Sequence, residues 1–305
     1  MNVVEKAASP LDALARKKRK KETAKPADIK PRQPKPQSFD IDFERLDELG
    51  HFNPGNLASP LAMELRAVKR RLLRRLGFLR AAGDRQAYRM PGRQRNLVLV
   101  TSTQAGEGKT FCAVNLALSL ALEDLVDTVL IDADIPRPKV RARFGLDRGA
   151  GLTDCLVEKA PWESLAHRAN DGPLTILGEG HSRERTAELF AGEACQQLLT
   201  EISAANRDGL VFIDAPPALA MTDAVVLAKH VDEVVFVVEA NETPEPAIAA
   251  ALDELLDVNP NVSLVLNRCL IGATGSSYSS YDYYGRNDDN GAEKPTEKET
   301  GHGDP

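Results

Sequence analysis

Leu97-Val-Leu-Val100-Thr-Ser-Thr103-Gln-Ala-Gly106-Glu-Gly108-Lys109-Thr110 is the stretch of this 305-residue chain that decides its architecture. The four apolar residues at its start read as a short buried strand. Residues 109–124 read as a helix, and a glycine-bearing loop joins the two. In that context Gly106 and Gly108 let backbone amides turn inward around phosphate oxygens. Lys109 reaches the β- and γ-phosphates, and the Thr110 hydroxyl serves as a Mg²⁺ ligand. Thr103 stands where the general GxxxxGK[ST] pattern has its first glycine. The expected nucleotide contacts are therefore Gly106, Glu107, Gly108, Lys109, Thr110 and Phe111.

Working outward, strands and helices alternate. Apolar runs at Thr128–Ile131, Leu174–Leu177, Leu210–Ile213, Glu233–Val238 and Val262–Leu266 read as strands. Helical patterns cover a short piece near Leu152–Val157, then Ala194–Ile202, 223–230 and 245–257. Near-continuous Val/Ile/Leu strands separated by helices predict a mainly parallel sheet covered on both faces, an α/β fold of the P-loop NTPase kind.

Two strands run directly into acids. Ile131 is followed by Asp132-Ala-Asp134, and Ile213 by Asp214-Ala-Pro-Pro217. Ligands of open α/β sheets bind beyond the carboxyl ends of the strands, so these carboxylates are expected to converge on the loop at Lys109. Carboxylates beside a nucleotide hold Mg²⁺, directly or through water, and one can accept a proton from an attacking hydroxyl.

The ends of the chain read differently. Residues 1–58 are expected to be a disordered leader, with ten Lys or Arg against two acids from Arg16 to Lys35 and prolines interleaved. The basic run Arg16–Lys21 suits a solvated tail, or a segment that binds anionic lipid or nucleic acid. Ser59-Pro60 opens an amphipathic helix over 60–82 whose stripe is Leu61, Leu65, Val68, Leu72, Leu76 and Leu79. That stripe is expected to pack on the core or on a neighbouring subunit, and residues 59–271 to form the folded domain. Residues 272–305 read as a flexible tail in which Tyr278, Tyr281, Tyr283 and Tyr284 cluster, four of the chain's five tyrosines.

Composition is that of a globular protein, 42% hydrophobic and 28% charged, which a sheet-and-helix core requires. Cys112, Cys155, Cys195 and Cys269 lie far apart without metal-ligand spacing and are expected to be buried thiols in a reducing cytosol. The longest apolar stretch is too short to span a bilayer, so a cytoplasmic protein is expected, held at a membrane only by a partner. Nucleic acid is not an expected partner.

A strand followed by DxD, beside a P-loop and a second strand ending in Asp, resembles the three-motif signature of the bacterial tyrosine kinases, the BY-kinases. The resemblance covers roughly residues 60–285, and the tail is similar to that of stand-alone autokinases of capsule and exopolysaccharide systems, including the exosortase-associated group. It implies ATP and Mg²⁺ as cofactors and autophosphorylation in trans at Tyr278, Tyr281, Tyr283 and Tyr284. It implies that Lys109, Asp132, Asp134 and Arg137 are catalytic, with Thr110, Asp132, Asp134 and Asp214 around the metal. Arg137 falls one position later than the family's arginine because Pro136 intervenes. A homo-oligomer, a transmembrane activator of the polysaccharide co-polymerase type that recruits the chain to the inner membrane, and a phosphotyrosine phosphatase are the partners implied. The family's Glu-Arg-Arg subunit-contact motif corresponds to Glu64, Arg66 and Lys69, with the acid shifted by one and Lys in the last place. The rival reading is a partition- or division-type switch ATPase. Those proteins usually carry a second lysine where Gln104 stands here, and they lack a tyrosine tail.

Overall fold

The computed structural model describes residues 35–80, 88–89, 95–123, 126–181 and 185–269. Its strands are β1 (Gln37–Phe39), β2 (Leu79–Arg80), β3 (Tyr88–Arg89), β4 (Leu97–Ser102), β5 (Thr128–Asp132), β6 (His167–Ala169), β7 (Leu174–Leu177), β8 (Leu210–Asp214), β9 (Glu233–Glu239) and β10 (Val262–Asn267). β2 and β3 pair only with each other; the remaining eight form one sheet in the order β1-β6-β7-β5-β8-β4-β9-β10. Every pairing in that sheet is parallel except β6 with β7.

Successive side chains of the buried strands feed opposite faces, giving two cores. Val98, Val100, Leu130, Phe212 and Val235 pack against the helices Pro60–Arg75 and Lys109–Leu118. Leu99, Ile131, Ile213 and Phe236 pack on the other face against Glu193–Ala205, Asp223–Ala228 and Glu245–Leu256. Each fully buried side chain of this size contributes about 1.5–3 kcal/mol of transfer free energy, which is why the strands carry almost no polar residues. The predicted mainly parallel α/β sheet is the one found. From β4 the chain crosses to β5 on one side, with β8 between them, and later returns to β9 on the other side. That reversal opens a crevice at the carboxyl end of β4.

Several boundaries differ from expectation. The leader assigned to 1–58 is structured from β1 onward: Gln37–Phe39 extends the sheet and Phe43–Glu48 is helical. Phe39 meets Phe144 edge-on at 6.0 Å, and the Phe52 N–H donates to Asn115 Oδ1 at 2.6 Å. Two phenylalanines thus anchor a segment whose composition alone is too polar to fold. The basic run Arg16–Lys21 lies outside the described residues.

The helix expected over 60–82 ends at Arg75. Gly77, at φ 80°, supplies the left-handed residue of a Schellman cap. The Phe78 N–H bonds the Leu73 carbonyl at 2.8 Å and the Gly77 N–H bonds that of Arg74 at 3.1 Å. The helix expected over 109–124 is α-helical to Leu118 and widens into a π-turn over Ser119–Glu123. Glu123 in that turn takes Arg66 at 2.6 Å and Lys69 at 2.9 Å. Residues likened to a subunit-contact motif are thereby engaged within the chain. Cys112, Cys155 and Cys195 are buried as expected, and burial pushes their thiols up to about 12; Cys269 is exposed. The described residues up to Asn267 form one compact unit, and of the segment beyond it only Arg268 and Cys269 are described.

Candidate nucleotide site

The loop after β4 arrives at the crevice with its geometry set by two glycines in the left-handed region, Gly106 at φ 105° and Gly108 at φ 95°. At Gly108 a side chain is excluded by space as well as by φ, since a Cβ would lie 2.0 Å from Asn267 Nδ2. Gly108 caps the helix Lys109–Leu118 without a side-chain bond of its own. The first amides of that helix therefore face the loop, an arrangement suited to an anion. Inside the loop, Ser102 Oγ donates to the Gln104 carbonyl at 2.7 Å and the Gln104 N–H donates to Glu107 Oε2 at 2.8 Å.

The acids at the ends of β5 and β8 meet this loop. Asp132 and Asp214 are register partners in the sheet, and both are fully buried. Lys109 Nζ lies 2.7 Å from Asp134 Oδ2 and 3.4 Å from Asp214 Oδ1. The Thr110 hydroxyl donates to Asp214 Oδ2 at 2.6 Å. Asp132 is engaged differently: Oδ1 accepts the Asp134 N–H at 3.1 Å, and Oδ2 accepts the N–H groups of Lys139 and Val140, both at 2.9 Å. Asp132 thus braces the loop that carries Asp134 and caps the start of the helix Val140–Arg143.

Electrostatics follow from this crowding. Burial opposes the charged form of Lys109, but Asp214, Asp134 and Asp132 together outweigh it and raise its pKa. Burial, reinforced by the neighbouring Asp214, raises the pKa of Asp132. Burial likewise raises Asp214, against the pull of Lys109 and the Thr110 hydroxyl. An ammonium held between two carboxylates is a cation that a polyphosphate can take over, because it already sits at the helix start where the anion would enter.

Of the residues singled out from sequence, Lys109, Thr110, Asp132, Asp134 and Asp214 come together, with Gly106 and Gly108 beside them. The Glu107 carboxylate is occupied by the Gln104 N–H and by the Thr243 hydroxyl, so its main-chain N–H is what it could offer a phosphate. Phe111 stacks on His51, ring centroids 5.1 Å apart, on the core side of the helix. Arg137 is exposed, and it is its backbone N–H that bonds Asp134, at 3.0 Å to the carbonyl and 3.3 Å to Oδ1. Tyr278, Tyr281, Tyr283 and Tyr284 lie outside the described residues. Sequence reading did not find Thr243 or Asn267, both of which touch Glu107. Neither has a local signature, since a Thr before Pro and an Asn at a strand end are ordinary residues in such places.

No family model matches the chain. The tyrosine-protein kinase YwqD of Bacillus subtilis (strain 168) is 34% identical over 196 residues, 64% of this chain and 80% of that protein. The chain belongs to the bacterial tyrosine kinase family. Its kinase-type P-loop fold is seen again in the crystal structure of the VpsO kinase domain, at TM-score 0.54 and 28% identity over 70% of this chain and all of that domain. The succinoglycan biosynthesis transport protein ExoP of Rhizobium meliloti (strain 1021) is 29% identical over 197 residues. This BY-kinase spans 80% of the length of the Bacillus relative but 25% of the Rhizobium one. Among its described residues no helix is long and apolar enough to cross a membrane.

Proposed function

We propose that this chain is an ATP-dependent protein-tyrosine autokinase. It transfers the γ-phosphoryl group of Mg·ATP in trans to Tyr278, Tyr281, Tyr283 and Tyr284 of another copy, and so regulates exopolysaccharide or capsule synthesis or export. The observation that carries the reading is the buried contact of Lys109 with Asp134 and Asp214 at the start of the helix after β4. Family membership supplies the reaction class, and the tyrosine cluster supplies the acceptors.

The donor set fits a hard cation: the Thr110 hydroxyl and the Asp214 carboxylate, hydrogen-bonded to each other at 2.6 Å, would supply two oxygens. Among the described residues no three His, Cys, Asp or Glu side chains are placed to hold an ion by themselves. Mg²⁺ behaves in keeping with that, taking one or two protein oxygens and completing its shell with phosphates and water. When bound it would neutralise charge on the β- and γ-phosphate oxygens. The protein's own residues do the rest. Amides of the Gly106–Thr110 segment hold the phosphates, and Lys109 leaves Asp134 to follow the γ-phosphate. Asp134, freed of its ammonium partner, accepts the proton of an incoming phenol. The tyrosine Oη–P bond forms as the bond from the γ-phosphorus to the bridging oxygen breaks, and ADP departs. Asp134 suits the base better than Asp132, whose two oxygens already hold three main-chain N–H groups. Arg137 is reserved for the acceptor or the leaving oxygens once nucleotide is present.

In this reading residues 59–271, joined by the strand and helix of 37–48, are the kinase domain. A membrane-spanning activator recruits the chain, copies assemble so that tails reach neighbouring sites, and a phosphatase resets them. Incubating purified protein with Mg·ATP, alone and with the activator's cytoplasmic segment, and locating phosphate by mass spectrometry tests it. Phosphotyrosine in the tail supports the kinase. ATP hydrolysis without phosphotyrosine points to a switch ATPase, and no nucleotide binding at all points to a scaffold.

A further inference from the structure

The phosphate loop is gripped from the side away from the carboxylates. Glu107 is 4% exposed, and its Oε1 accepts the Thr243 hydroxyl at 2.5 Å while its Oε2 accepts the Gln104 N–H at 2.8 Å. Asn267 Nδ2 donates to the Glu107 carbonyl at 2.8 Å and lies against Gly108, where no Cβ would fit. Thr243 belongs to the turn that leaves β9, and Asn267 is the last residue of β10. The two are linked, because the Ala240 N–H bonds the Asn267 carbonyl at 2.9 Å and the Thr243 N–H bonds that of Glu239 at 3.3 Å. β9 and β10 flank β4 on one side, whereas the strands bearing Asp132 and Asp214 flank it on the other.

Two costs of binding a polyphosphate in such a loop meet at Glu107. A glycine-bearing loop must lose much conformational freedom to aim its amides, so affinity rises when that ordering is done beforehand. A carboxylate inside the loop also repels the ligand unless it is held outward. The Thr243 hydroxyl does the second, and the bonds to Gln104 and from Asn267 do the first. We propose that Thr243 and Asn267 are positioning residues for the nucleotide, holding Glu107 outward and Gly108 in place so that the amide cradle is set before ATP arrives. The inference rests on the reading of this loop as the nucleotide site.

The test titrates the full chain with Mg²⁺ and a methylanthraniloyl-labelled ATP analogue, and follows urea unfolding without nucleotide. Thr243→Val should weaken binding about tenfold, the worth of one hydrogen bond to a charged group, and by more than any fall in the urea midpoint accounts for, since the buried Glu107 carboxylate is also left a bond short. Thr243→Ser should restore binding, and Asn267→Ala should weaken it. In turnover the loss should appear in the KM for ATP with kcat retained. Wild-type affinity in Thr243→Val overturns the proposal, as does a loss that Ser does not reverse or one that only tracks lost stability. If wild type itself does not bind the analogue, the nucleotide-site reading fails and this inference with it; binding by wild type and Thr243→Val alike sinks this inference alone.

Discussion

Replacing Lys109 by Met should do more than abolish phosphate binding, because the ammonium compensates the buried carboxylates of Asp134 and Asp214. Asp132, Asp134 and Asp214 are at most 4% exposed, and Lys109 Nζ contacts two of them at 2.7 and 3.4 Å. Removing one partner of a buried ion pair costs about 3–5 kcal/mol, since the charge left behind is uncompensated. The carboxylates can escape part of that cost by binding a proton, and the sign of the pH dependence follows. Lys109 has a raised pKa in the fold, so its contribution is fully present below the ordinary lysine value of about 10.4 and constant across the neutral range. Asp132 and Asp214 also have raised pKa values, so the folded state binds more protons than the unfolded one above pH of about 4. Loss of Lys109 raises them further. The penalty of Lys109→Met should therefore be small near pH 5 and grow toward pH 8. Each pH unit over which the folded variant keeps one extra proton adds about 1.4 kcal/mol. Urea unfolding of wild type and variant at pH 5 and 8 measures this directly, and Lys109→Met/Asp134→Asn should recover part of the loss at pH 8. A penalty under about 1 kcal/mol at pH 8, or one equal at both pH values, would refute the view that this ammonium compensates buried carboxylate charge.

Other outcomes follow from single positions. Gly106→Ala should cost only the left-handed backbone strain of about 1–2 kcal/mol, because nothing lies within 4 Å of its Cβ. Gly108→Ala should cost more and cut nucleotide affinity as well, since its Cβ meets the Asn267 amide; thermal unfolding and analogue titration compare the two. Gly77→Ala, at φ 80°, should destabilise by about 1 kcal/mol through the helix cap without touching nucleotide affinity. Burial, aided by Arg143, lowers His51 from 6.5 to about 4, so its neutral form is favoured in the fold. Its contribution is present above pH 6.5 and is lost as pH falls toward 4, about 3 kcal/mol in all; His51→Gln should flatten that part of the stability–pH curve.

How much of this could be read in advance depends on the range of the interaction concerned. Strands such as Leu210–Asp214, buried along their whole length, announce themselves as apolar runs. β1 is three residues, Gln37–Phe39, and becomes a strand only because β6 offers a parallel partner. Gly77 ended the Pro60 helix earlier than the leucine stripe suggested, because a stripe reports which face is buried and not where the backbone turns. The role of Asp132 was equally hidden. A DxD motif places two acids at a strand end, but which one braces the loop depends on the turn that brings the N–H groups of Lys139 and Val140 back to it.

Local pattern alone was enough for the parallel α/β sheet, the phosphate loop on its first central strand and the acids at the tips of two others. Those features depend on neighbouring residues and on the rule that such sheets bind ligands at their carboxyl edge. Folding in three dimensions decided that Lys109 rests between Asp134 and Asp214, that Arg66 and Lys69 turn inward to Glu123, and that Thr243 and Asn267 reach Glu107 across 136 and 160 positions of chain. Contacts at such separation arise from how strands order themselves in the sheet, and no periodicity or motif along the chain encodes that order.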